Sequence, residues 1–183
     1  AIVAKVDRND IVENGGASIA NALANVPGVA ATGFAAGASR PIIRGMDANR
    51  VRILEDGTSA SDVSDIGPDH GVPIDPLAAR SIEVVRGAGT LRYGSQAIGG
   101  VVNVLNDRVP MSLSDKPLGF ELNGNYDTVS NAPEASGLVD AAVGNFALHA
   151  DGFYRHADDY DTPVTESTPD GKLDNSFAHA HGG

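Results

Sequence analysis

The chain has no cysteine. That excludes a disulfide framework and any thiolate site, and it is compatible with an oxidising compartment without requiring one. Positive charge is scarce. Thirteen Lys and Arg against 24 Asp and Glu leave a net charge of −11 over 183 residues. That argues against nucleic acid as a partner, because phosphate binding needs cationic surface. No run of about eighteen apolar residues exists, so there is no transmembrane helix. No basic-then-apolar leader opens the chain, which reads as either cytoplasmic or already processed. Hydropathy alone would say soluble. A transmembrane β-barrel survives all of these exclusions, since each of its strands gives only a weak signal.

What is present is organised around residues 79–107. Two β-branched runs, Ile82–Val85 and Val101–Leu105, read as strands. Between them stand Gly87, Gly89, Gly94, Gly99 and Gly100, enough to stop a helix and force tight turns. The spacing refuses a phosphate loop. Arg92 stands where a dinucleotide fingerprint needs its third glycine, and Gly94 is followed by Ser95-Gln96 in place of a phosphate-holding lysine.

The order Arg86-Gly87, Tyr93-Gly94 and Ala97 to Asn103 resembles the plug of TonB-dependent outer-membrane receptors. Upstream, Ile43-Arg44-Gly45 and Val51 to Gly57 look like two further strands of that family, and the likeness runs over residues 11–163. It implies an α+β plug, a mixed β-sheet with short helices, over residues 1–110. The first three or four antiparallel strands of a transmembrane β-barrel then follow over 111–183. It also implies a bacterial outer-membrane location, the TonB energy-coupling complex as periplasmic partner, and membrane lipid around the wall. A full barrel of this family has about 22 strands, so the remainder is expected on the same or another chain. No energy-coupling box is recognisable ahead of Ile2.

Residues 1–13 alternate loosely and predict a short lead-in strand. Ile19, Ala22, Leu23 and Val26 then mark one face of a short helix, ended by Pro27. Residues 30–39 are small and glycine-rich, with Phe34 the only large side chain. Asp75-Pro76 predicts an N-cap and a short helix through Arg80. Arg108–Leu118 is a linker. Phe120, Leu122, Gly124 and Tyr126 alternate with Glu121, Asn123, Asn125 and Asp127, a pattern suited to a wall with lipid outside and water inside. A polar loop over 129–136 follows, and Leu138–Val143 and Phe146–Tyr154 are the next strands, joined at Gly144-Asn145. His149, Asp151 and Arg155 fall on the face opposite Leu148, Ala150 and Tyr154. Residues 157–171 are a long polar loop before a fourth strand.

Arginine outnumbers lysine ten to three, and seven arginines lie between Arg40 and Arg92. A planar fork suits carboxylates in confined places, so these are either lumen-facing partners of wall carboxylates or ordinary surface residues. The acidic stretch 55–75 holds the strongest chemical candidate, Pro68-Asp69-His70. A carboxylate beside an imidazole suits Zn²⁺ if a loop lets both reach one ion, and Gly67, Pro68 and Gly71 supply a loop. A hydrogen-bonded polar turn is the competing reading. Ser39-Arg40-Pro41, Gly67 to His70 and Val72 to Leu77 also resemble the zinc-uptake branch of the family, which implies Asp69 and His70 as plug ligands to a transported Zn²⁺. Two ligands leave a tetrahedral site half built. His156, His179 and His181 are accessory candidates for collecting metal, or simply solvated. No resident cofactor and no enzymatic constellation emerges: Gly94-Ser95-Gln96-Ala97 is no nucleophile elbow, and Asp62 to Gly67 is no calcium loop.

The expectation is therefore a transporter whose plug gates uptake of zinc or another divalent metal. One alternative is the same architecture taking up an iron chelate (a siderophore or haem) or another nutrient. The other is a soluble acidic metal-binding or hydrolytic β domain.

Overall fold

The computed structural model describes residues 2–33, 37–60, 64, 66–67, 69–106, 108–109, 117–128, 131–158, 160–161 and 179–180. Strand β1 (Ile2–Asp7) runs straight into helix α1 (Arg8–Asn14), so the opening segment is not the single strand its alternation suggests. Extended Asp7 begins the helix, only Ile11 of it is buried, and Gly15 at φ +60° ends it with its N–H on the Ile11 carbonyl. Ser18 caps α2 (Ile19–Ala22), its hydroxyl accepting from the Asn21 amide at 3.3 Å. The predicted face of Ile19, Ala22, Leu23 and Val26 is buried throughout. The helix stops sooner than the spacing implies, and turns carry the chain on to Val26.

Strands β2 (Val29–Ala31) and β3 (Pro41–Ile43) form a small antiparallel pair. β4 (Val51–Glu55) turns through Asp56 (φ +48°) and Gly57 (φ +78°) into β5 (Thr58–Ser59). These left-handed positions are what a two-residue hairpin loop demands. Asp75 caps as expected, accepting from the Leu77 amide at 2.8 Å, but the helix is one 3₁₀ turn (Pro76–Ala78). Arg80 is not helical. It already lies in β6 (Ala79–Arg86). Between β6 and β7 (Gly100–Asn106) the glycines do exclude an α-helix, yet the segment is not mere loop: it winds into 3₁₀ turns over Gly87–Tyr93 and Ser95–Ala97.

The main sheet has the order β1-β6-β7-β4-β5, with β7 parallel to β4 and the other pairings antiparallel. It is mixed, as expected. Ile11, Ile19, Leu23 and Val26 pack onto Val6, Ile82, Val84, Val102 and Val104 to make the core. A smaller cluster of Leu54, Ala97 and Val101 covers the other face. Central β7 is therefore apolar on both sides, which explains why Val101, Val102 and Val104 are all buried in it. At its start, a Cβ on Gly100 would stand 2.6 Å from Ile43 Cδ1, so any larger residue would make the Ile43 side chain of β3 shift.

The second body is an antiparallel meander of β8 (Leu118–Asp127), β9 (Ala132–Val143) and β10 (Phe146–Arg155). β9 starts at Ala132, so most of the loop expected over 129–136 is strand, and the wall here is longer than the sequence suggested. Gly144 turns the chain at φ +60°. Phe120, Leu122, Phe146, Leu148 and Tyr154 point away from the main sheet and are exposed. Glu121, Glu134, His149 and Arg155 point toward it. Among the described residues beyond β10, Tyr160–Asp161 pairs with His179–Ala180. Phe34, Asp62, Asp65, Pro68, Asp159 and His181, the side chain of His179, and most of the linker and of the 157–171 loop lie outside the described residues.

Candidate functional site

Two places concentrate polar chemistry. The first is the turn carrying Asp69 and His70, closed by the His70 amide on the Gly67 carbonyl at 3.2 Å. Both side chains are about half exposed, with Nε2 and Oδ2 3.8 Å apart. Their neighbours hold them there. A Cβ on Gly71 would stand 2.0 Å from the Gly37 carbonyl oxygen, so the Asp-His turn and the glycine-rich loop touch backbone to backbone. That loop is itself pinned. The Ser39 hydroxyl donates to the Thr32 carbonyl at 2.6 Å, and the Arg40 amide to the Thr32 hydroxyl at 2.8 Å. The Arg40 guanidinium is buried and reaches the Ser64 hydroxyl and the Ala48 carbonyl. Ser39-Arg40-Pro41 is thus a floor under both loops. The Asp-His pair is accessible and adjacent, but no third His, Asp or Glu completes a metal-binding group among the described residues.

The second place is the seam between the main sheet and the wall. Arg8 is fixed to its own body by the carbonyls of Leu77 and Ala79, which leaves Nε to donate to Glu121 of β8 at 2.8 Å. From the wall, Arg155 of β10 donates to Glu134 at 2.5 Å, to Asp75 at 2.8 Å and to the Gly16 carbonyl at 3.2 Å. His149, its side chain 6% exposed, lies between Asp140 (2.6 Å) and Asp151 (3.3 Å). Arg108 joins Asp151 to Glu55. A cavity of about 200 Å³ opens along this seam among Arg8, Glu121, Asp140, His149 and Asp151.

At two of its seven positions the arginine expectation is corrected by this geometry. Arg40 and Arg86, both buried, are held by their own body, Arg86 through the Pro27 carbonyl. Among the described residues the cross-seam arginines are Arg8 from the plug, Arg155 from the wall and Arg108 from the link between them, and none lies in the arginine-rich stretch. Inward position on an alternating strand was the available signal for Glu121 and Arg155, whereas Glu134 fell in the stretch expected as a loop. Nothing local marks Arg8. Exposed His156 meets Asp158 at 3.3 Å, and that carboxylate also accepts from Asn131. No metal-collecting group forms around it among the described residues.

A mixed sheet with short helices is thus docked by charged contacts on one face of a three-stranded antiparallel sheet. The profile described as TonB-dependent Receptor Plug Domain matches residues 1–101. The chain belongs to the TonB-dependent receptor plug family. The ferric enterobactin receptor of Pseudomonas aeruginosa is 34% identical over 125 residues, 60% of this chain and 15% of that protein. The hemin receptor of Yersinia enterocolitica is 27% identical over 161 residues, 82% of this chain and 23% of that protein. Among solved structures, a mutant of the P. aeruginosa ferric enterobactin receptor superposes with a TM-score of 0.68 at 21% identity, over 87% of this chain and 25% of that one. The unliganded ferric citrate transporter FecA gives 0.60 at 26% identity, over 85% and 25%. This chain thus spans about a quarter or less of the relatives it matches. The plug and its wall belong to the outer membrane. Family membership displaces the soluble β domain as a reading.

Proposed function

We propose that this plug gates an outer-membrane receptor taking up an iron chelate, a siderophore or haem, through the remainder of a barrel and at the expense of the TonB complex. This corrects the order of the sequence-based expectation, which put zinc first. Two things support it. The relatives above are named for ferric enterobactin, hemin and ferric citrate. The Asp69–His70 turn, exposed on a backbone-packed pair of loops, offers two donors and no cage among the described residues, which suits touching the periphery of a liganded iron better than stripping and holding a bare ion. Zinc stays as a second reading because that carboxylate and imidazole lie side by side and accessible, so wall residues beyond this chain could complete a site around them.

Titration of the intact receptor with ferric siderophores, haem and Zn²⁺ separates the two. The expected result is saturable binding of one iron chelate, weakened about tenfold (about 1.4 kcal/mol) by Asp69→Ala or His70→Ala. Stoichiometric Zn²⁺ binding that both substitutions abolish, with no chelate bound, would replace this reading with the zinc one.

A further inference from the structure

We infer that Arg155 is an electrostatic latch between wall and plug, and that withdrawing it turns the same contact from attractive to repulsive. Among the described residues its guanidinium is the only positive group in the contact. Glu134 comes from the wall strand beside it, and Asp75 and the Gly16 carbonyl come from two separate parts of the plug. All three side chains are sequestered: 15% exposed for Arg155, 14% for Asp75 and 5% for Glu134. Glu134 Oε2 has no hydrogen-bond partner, so that carboxylate depends on the guanidinium for its compensation. A planar fork with five donors can satisfy three acceptors arranged this way, and a point charge cannot. With the fork gone, two buried carboxylates face each other across the seam in low dielectric, and like charges there repel strongly.

The latch also reads out position. Asp75 uses Oδ1 to cap the Leu77 amide and Oδ2 to take Arg155, so the wall contact and the start of β6 share one carboxylate. Asp75 ends the segment that begins at the Asp69–His70 turn. On the other side, Arg155 is followed directly by His156, whose backbone amide donates to the Pro133 carbonyl at the rim of the wall. A displacement of His156 therefore reaches Asp75 and Gly16 of the plug through the side chain of Arg155, whatever the cargo. Gly16 responds with it, because the same guanidinium holds the turn between α1 and α2.

Hydrogen exchange of the intact receptor in lipid bilayers tests this. In Arg155→Ala, exchange in segments 12–18 and 72–80 should quicken together, by about tenfold or more, because an uncompensated buried charge lowers the cost of local opening. Adding Asp75→Asn, which keeps an oxygen for the Leu77 amide and removes the repelling charge, should slow both segments again. Arg155→Lys retains the charge and, should the alanine variant fail to assemble, carries the test alone; it should fall between wild type and Arg155→Ala. Wild-type exchange in Arg155→Ala or Arg155→Lys would overturn the latch. So would a double variant as fast as Arg155→Ala, because loss of packing alone is not relieved by Asp75→Asn.

Discussion

At the scale of single residues, the exposed turn depends on glycines whose reason lies elsewhere in the chain. Gly71 was legible as a loop former. That it is also a spacer was not, because the carbonyl its Cβ would strike belongs to Gly37, far upstream. Gly71→Ala should lower plug stability by about 1–3 kcal/mol through forced separation of the two loops, read as a fall in the urea midpoint together with weaker ligand binding. Gly33→Ala, where an added Cβ meets nothing within 4 Å, should leave both unchanged. The same blindness applied to Arg40. Its residue type left a wall partner and a solvated surface both open, whereas burial directed it to the Ser64 hydroxyl and the Ala48 carbonyl. Sequence reports what a side chain can bind. Packing decides what it does bind.

At the scale of elements, legibility followed periodicity. Ile19, Ala22, Leu23 and Val26 declared a buried face even though the α-helix occupies a single turn of it, since burial and not helix length sets the pattern. Leu23→Ala should therefore cost about 2–5 kcal/mol, the usual range for a leucine lost from a closed core, and equilibrium unfolding of the plug measures it. Helix α1 was illegible for the converse reason. Only Ile11 of its seven residues is buried, so no period exists to be read. Missing α1 also hid Arg8, which its first turn aims at the wall. β6 and β7 were found easily because β-branched runs closed by glycine have few other readings.

At the scale of the whole molecule, the two-sided alternation of β8 and β10 made a wall visible before any coordinates, and the plug's motif order supplied what that wall encloses. Leu122, 80% exposed on the outer face, should tolerate arginine poorly: about 2–4 kcal/mol less stable at the bilayer midplane, measured by folding into lipid vesicles from urea. The seam between the bodies was the least legible part, because its contacts join residues distant in sequence and alike in type to ordinary surface charges. Its composition has a mechanical consequence. The plug is greasy within and polar where it meets the three strands of the wall, so half-exposed bonds at the joint such as Arg108 to Asp151 can be exchanged for bonds to an arriving water molecule, while no such substitute exists for Ile82 or Val102. The rim of the joint should therefore take up water before the interior of the plug begins to open.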